Sequence, residues 1–370
     1  MSESLPPDAL IPDESPSPPA PPLEASPWVW GTGQQLALLL WLGIVGWLAY
    51  GGGVGWIPLL ISGGGTALLG MGAVPLLRRL KTGQVIREDG PQSHLKKAGT
   101  PTMGGIYFVP VGLLVAVIWT QANPQVLAVA VLTLAYGWVG WLDDWQVIRQ
   151  QSNKGLTPRQ KFLWQIGIGG LFALWLAWSG IPWHITLPWL GTVALGWGFW
   201  PLVLFVLVGT NNAVNITDGV DGLAAGVVAL MLVGLGLLAV DPNLAIFGFC
   251  LAGSCLGFLA HNRNPAQVFM GDTGSLALGG ALAGMALLGD SLWALALMGG
   301  ILVMEALSVI LQVSYFKYTK RRTGQGQRLF KMSPLHHHLE LSGWSERRVV
   351  ATFYGVTAIL VWLGCHFSQI

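Results

Sequence analysis

Long apolar runs separated by short polar islands set the plan of this chain. The runs fall at 34–50, 56–77, 104–120, 125–142, 162–179, 199–210, 223–240, 244–260, 275–288, 292–316 and 349–367. Continuous apolar stretches of roughly 17–25 residues suit helices that span a bilayer, whereas barrel strands would alternate. The pattern predicts an all-α, polytopic membrane protein with ten core transmembrane helices from residue 56 onward. The first run, 34–50, is short and interrupted by glycine; it is either an extra N-terminal helix or half of a hairpin. Between 180 and 198 lies the longest connection on its face, and the alternation at 183–190 predicts a small external β-hairpin. Residues 1–27 hold nine Pro and five acids without Lys or Arg, a composition that cannot bury a core. The domain plan is therefore a disordered Pro-rich tail at 1–33, an extra apolar segment at 34–55 and an integral membrane domain at 56–370.

Composition agrees with the pattern. Only 10% of residues are charged and 53% are apolar, against about 25% charged in soluble domains. The placement of charge says more than its sum. The segments 78–103, 143–161, 211–222, 261–274 and 317–348 together hold all nineteen Lys and Arg, and the opposite connections hold none. Under the positive-inside rule these five segments are cytoplasmic, which leaves the C-terminus external. The N-terminus is cytoplasmic if 34–50 spans and external if it does not. Cys250, Cys255 and Cys365 lie in apolar runs without metal-ligand spacing and read as packing residues. Nothing points to a nucleic-acid partner.

Each cytoplasmic segment carries concentrated polar residues. Gly, Pro and Thr at 90–105, with Lys96 and Lys97, suit phosphate or carbonyl oxygens. Asp143 and Asp144 are adjacent carboxylates at an expected helix end, where they repel each other and oppose the helix dipole unless a cation sits there; a solvated cap is the plain alternative. Lys154, Arg159 and Lys161 follow and could neutralise an anionic lipid or phosphate. Asn215, Asp218 and Asp221 recur every three residues and would share one face of a helix. Asp272 stands among small residues where a helix can begin, a carboxylate beside free backbone N–H groups. Phe269 could stack on a base or belong to the core. The triplet His336, His337 and His338 is better suited to contacting phosphate than to enclosing a transition metal, because consecutive residues point in different directions. Glu305 is an acid inside a helix, either functional or satisfied by a neighbour such as Gln312.

These islands resemble phospho-N-acetylmuramoyl-pentapeptide transferase, within the polyprenyl-phosphate N-acetylhexosamine-1-phosphate transferase superfamily. The motifs are GPQSH at 90–94 through GTPTMGG at 99–105, LDD at 142–144, NAVNITDGVDGL at 212–223, VFMGDTGS at 268–275 and PLHHH at 334–338. The resemblance runs from about residue 83 to the C-terminus. It implies transfer of phospho-MurNAc-pentapeptide from UDP-MurNAc-pentapeptide to undecaprenyl phosphate at the cytoplasmic face of a bacterial plasma membrane, giving lipid I and UMP with Mg2+ as cofactor. It also implies a homodimer. By position, Asp143, Asp144, Asp272 and His336 match catalytic positions, with Asp272 the Mg2+ ligand and Asp143 a base toward the lipid phosphate. Lys97, Thr102, Lys161, Asn215, Asp218, Asp221, Asn262, Phe269, Gln312 and His337 match substrate-binding positions. Direct attack by the lipid phosphate and a two-step route with an aspartyl nucleophile both remain open. A sibling enzyme using UDP-GlcNAc would share most islands but not the first and last motifs. A transporter would need mid-membrane charge and repeated halves, and neither is evident.

Overall fold

The computed structural model describes residues 55–80, 82, 97, 99–151 and 155–368. The Pro-rich tail, the apolar run 34–50, the GPQSH run, Lys96 and Lys154 lie outside the described residues. Helices run in the order α1 (Trp56–Arg79), α2 (Gly105–Trp119), α3 (Pro124–Gln150) and α4 (Pro158–Trp178). Strands β1 (His184–Leu187) and β2 (Gly191–Ala194) follow, and then α5 (Phe199–Thr217), α6 (Leu223–Leu238), α7 (Pro242–Asn262) and α8 (Gly271–Leu288). The chain closes with α9 (Leu292–Met298), α10 (Gly300–Thr323), α11 (Leu335–Glu340) and α12 (Glu346–Phe367).

Among the described residues, α1, α3, α4, α5, α7, α10 and α12 are long and apolar enough to cross a bilayer, and α2 and α6 are shorter apolar helices. The outward faces carry large apolar side chains in the open, including Leu68, Leu114, Leu171, Phe205 and Ile359. Water would not tolerate such a belt, but lipid does. The chain is a multi-pass membrane protein.

Helix starts follow local chemistry. Asn123 caps α3 by accepting from the Gln125 N–H at 2.9 Å, with Pro124 at the first position. Thr157 and Gln160 form a capping box at the start of α4, ahead of Pro158. Asp241 caps α7 before Pro242. These side chains take up N–H groups that have no partner within the helix.

The centre of the molecule is α8, buried at every position from Thr273 to Leu287. It packs against α3, α5 and α2, while α1 packs on α7 and α7 on α6. Two glycines admit its N-terminal end. A Cβ on Gly140 of α3 would stand 2.0 Å from the Asp272 carbonyl oxygen, and one on Gly105 of α2 would stand 2.3 Å from the Gly274 nitrogen. Backbone therefore meets backbone where α8 begins.

Four expectations need correction. The run 292–316 is two helices, not one: the Gly299 N–H closes α9 on Leu295, and the Gly299 carbonyl opens α10 by accepting from Val303, both at 2.9 Å. A glycine pair is a cheap place to turn. Asp143 and Asp144 do not end a helix, because α3 continues to Gln150; their carboxylates are satisfied sideways. Asn215, Asp218 and Asp221 do not share a helix face, since α5 stops at Thr217 and the two acids lie in the turn beyond. The hairpin forms later than 183–190: His184 pairs with Ala194 and Leu187 with Gly191, so 188–190 is the turn.

Candidate active site

The site is built on the first turn of α8. Gly271, at φ 71°, brings the chain into the helix in a conformation that favours glycine. The Asp144 carboxylate accepts the Asp272 N–H at 3.1 Å, and its other oxygen accepts the Thr273 N–H at 3.0 Å and the Thr273 hydroxyl at 2.6 Å. Asp144 thus caps α8 from the flank of α3, with both oxygens engaged. Asp143 accepts the Leu156 N–H at 2.9 Å, fastening the connection between α3 and α4.

Asp272 is held from two sides. One oxygen accepts the Lys161 ammonium, and the other accepts the Asn215 amide at 2.6 Å. Asn215 also donates to the Ser275 hydroxyl at 2.9 Å. Lys161 comes from the start of α4 and Asn215 from the end of α5. Asp218 follows in the turn after α5. Burial, reinforced by the negative charges of Asp272, Asp144 and Asp221, pushes its pKa up to about 8.

A second knot ties the loops together. The Lys97 ammonium donates to Asp221 at 2.9 Å and to Glu346 at 2.8 Å. Burial opposes the Lys97 charge, but these two carboxylates outweigh it and hold its pKa above the ordinary value. The Asn264 amide bridges the same acids, at 3.2 Å to Asp221 and 2.8 Å to Glu346. Asn262 accepts the Gly222 N–H at 3.1 Å and donates to the Val268 carbonyl at 2.9 Å, so it links two islands through backbone. The Phe269 carbonyl accepts the Gly104 N–H at 2.9 Å, while its ring is half-buried. Thr102 is buried beside Gly271, and its N–H donates to the Thr82 carbonyl at 3.0 Å.

The last island docks on α10. Gln312 accepts from the Leu329 and Phe330 N–H groups, both at 2.9 Å, and donates to the Phe330 carbonyl at 3.1 Å. Glu305 is satisfied not by Gln312 but by the Leu335 and His336 N–H groups, at 2.8 and 3.1 Å. The three imidazoles take different partners, although the His336 and His337 rings meet edge to face with centroids 4.2 Å apart. His336 lies against Glu305, His337 contacts Glu340 at 2.8 Å and His338 accepts the Lys331 N–H at 3.2 Å.

Sequence reasoning missed Glu346 and Asn264 as parts of these networks. Glu346 precedes Arg347 and Arg348, a pattern that ordinary solvated charge also gives.

Among the described residues no three His, Cys, Asp or Glu side chains close around a single ion. The donors near Asp272 are all oxygens except the lysine and amide nitrogens that hold it. Such a set fits a hard divalent cation bound by one carboxylate, with phosphate oxygens and water completing the shell. It does not fit a soft, fully enclosed transition-metal centre.

Buried carboxylates and cations gathered where α8 begins in a helical membrane bundle suit a membrane enzyme for phosphorylated substrates. Residues 126–290 match the model for glycosyl transferase family 4, and residues 97–109 match phospho-N-acetylmuramoyl-pentapeptide-transferase signature 1. The phospho-N-acetylmuramoyl-pentapeptide-transferase of Synechococcus sp. (strain JA-2-3B'a(2-13)) is 70% identical over 308 residues, covering 83% of this chain and 91% of the relative. Those of Gloeothece citriformis and Picosynechococcus sp. are 58% and 54% identical, covering 83% of this chain in each case and 86% and 85% of the relatives. This chain belongs to the phospho-N-acetylmuramoyl-pentapeptide-transferase family.

Proposed function

We propose that this protein transfers phospho-MurNAc-pentapeptide from UDP-MurNAc-pentapeptide to undecaprenyl phosphate, giving lipid I and UMP for peptidoglycan synthesis. The observation that carries this reading is Asp272, held between Lys161 and Asn215 at the N-terminus of α8 beside Asp143 and Asp144. An oxygen of the lipid phosphate bonds to the sugar-linked phosphorus, and the bond from that phosphorus to UMP breaks. Both partners are anionic, so positioning and charge offset supply most of the acceleration.

Asp143 takes the proton of the lipid phosphate in this reading. Asp144 has both oxygens committed to α8 and acts by aiming Asp272. Both Asp272 oxygens accept hydrogen bonds, from Lys161 and Asn215, which fixes the carboxylate in place. Mg2+ is the divalent ion that best fits, held by Asp272, and when bound it supplies positive charge to the phosphates. Lys97, Asp218, Asp221 and Phe269 form the nucleotide-sugar side, with Asn262 and Thr102 shaping it. Gln312 and His337 belong to the α10–α11 wall, and His336, buried against Gly219 and Glu305, packs that wall onto the Asp218 turn. The distribution of Lys and Arg supports a cleft open to the cytoplasm of a bacterial plasma membrane, and a homodimer completes the proposal.

The test is UMP release by the purified protein with undecaprenyl phosphate, Mg2+ and either UDP-MurNAc-pentapeptide or UDP-GlcNAc. UMP is expected from the first nucleotide, with loss on chelation and recovery with Mg2+. Release from UDP-GlcNAc alone would reassign the protein to a sibling activity.

A further inference from the structure

One helical turn below the Asp272 cluster lies a second set of polar contacts among the same three helices. Gln165 follows Lys161 by four residues on α4, Asn211 precedes Asn215 by four on α5, and Leu276 follows Asp272 by four on α8. The Gln165 amide donates to the Asn211 side-chain oxygen at 3.0 Å, and the Asn211 amide donates to the Leu276 carbonyl at 2.7 Å. Asn212 donates to the Gln165 side-chain oxygen at 2.8 Å, and the Tyr136 hydroxyl of α3 donates to the Gln165 carbonyl at 3.1 Å. Asn211 is 0% and Gln165 1% exposed.

We infer that Gln165 and Asn211 are positioning residues, a buried amide clamp that sets how α4, α5 and α8 present Lys161, Asn215 and Asp272 to one another. The upper tier runs Lys161 to Asp272 to Asn215. The lower tier runs Gln165 to Asn211 to Leu276, and four residues separate the tiers on every helix, about 6 Å of rise. Residues four apart on a helix lie on one face, so a shift of any helix along its axis would disturb both tiers together. Leucines of similar volume would fill the same space with less desolvation cost. They would also leave the axial register free, because apolar packing has no direction. Hydrogen bonds do have direction, and they weaken within a few tenths of an ångström. The clamp therefore exchanges packing stability for a fixed register directly under the groups that hold the carboxylate.

The inference rests on the site reading above, and the test separates the two. Steady-state UMP release is measured for the parent, Asn211→Leu, Asn215→Ala and the double variant. The expected result is a fall in kcat of about tenfold for Asn211→Leu, the loss of one or two buried hydrogen bonds, with KM for UDP-MurNAc-pentapeptide unchanged. In the Asn215→Ala background the same substitution should cost about threefold or less, because one of the groups it positions is gone. Equal losses in both backgrounds, or a rise in KM matching the fall in kcat, would overturn the clamp and leave the site reading standing. Parental turnover in Asn215→Ala would overturn the site reading and the clamp with it. If Asn211→Leu does not purify folded, Gln165→Leu paired with Lys161→Ala runs the same cycle from the α4 side.

Discussion

Glu305 reaches out of α10 to accept the backbone N–H groups of both Leu335 and His336, and its carboxylate lies 3.1 Å from the His336 ring nitrogen. Both side chains are wholly buried. An acid from within an apolar helix thus takes the place of an N-cap for α11, whose own capping residue, Pro334, offers no side-chain acceptor.

Glu305→Ala should therefore destabilise the protein, since each orphaned buried N–H costs ~1–3 kcal/mol. Glu305→Gln keeps one acceptor and should cost less. Thermal unfolding in detergent would measure the difference. A Tm for Glu305→Ala equal to that of the parent would mean that water reaches these N–H groups.

Asp272→Asn should abolish turnover while the protein still folds. The substitution keeps the backbone N–H that Asp144 accepts, so the start of α8 stays in place. It removes the charge that Lys161 and a cation require, and the loss of such an electrostatic contribution lowers kcat by about a hundredfold or more. UMP release near the parental rate would remove Asp272 from the reacting centre.

Gly140→Ala should damage both stability and activity, because its Cβ would stand 2.0 Å from the Asp272 carbonyl oxygen and backbone cannot swing aside. Overpacking of this kind costs about 1–3 kcal/mol. Gly170→Ala on α4 is the control: nothing lies within 4 Å of the added carbon. Matched losses of Tm and turnover are expected for Gly140→Ala, and neither for Gly170→Ala.

Asp218 gives a pH signature. Burial, with the nearby acids, raises its pKa to about 8, whereas an unfolded aspartate ionises near about 4. Across that window the folded state holds the extra proton. The associated stability is complete below about pH 4 and is lost as pH rises toward about 8. Asp218→Asn stays neutral throughout, so its Tm should fall less steeply than that of the parent between those limits, in chelator. Parallel slopes would show Asp218 already ionised.

The sequence alone determined the class of protein, most of its apolar helices and the islands that carry chemistry. Apolar run length and the one-sided Lys and Arg are local signals that a single chain displays in full. Asp272 was legible as a carboxylate at a helix start for the same reason. Partner choice was decided only by the tertiary structure. Asp144 finds Thr273 across 129 positions and Gln165 finds Asn211 across 46, separations at which periodicity carries no information. The extension of α3 past Asp143 followed from the same packing: α8 supplied donors to Asp144 and the α3–α4 connection supplied one to Asp143, so the acids no longer had to end a helix. Gly140 and Gly105 allowed that approach, and a glycine's meaning depends on the backbone that comes to lie against it.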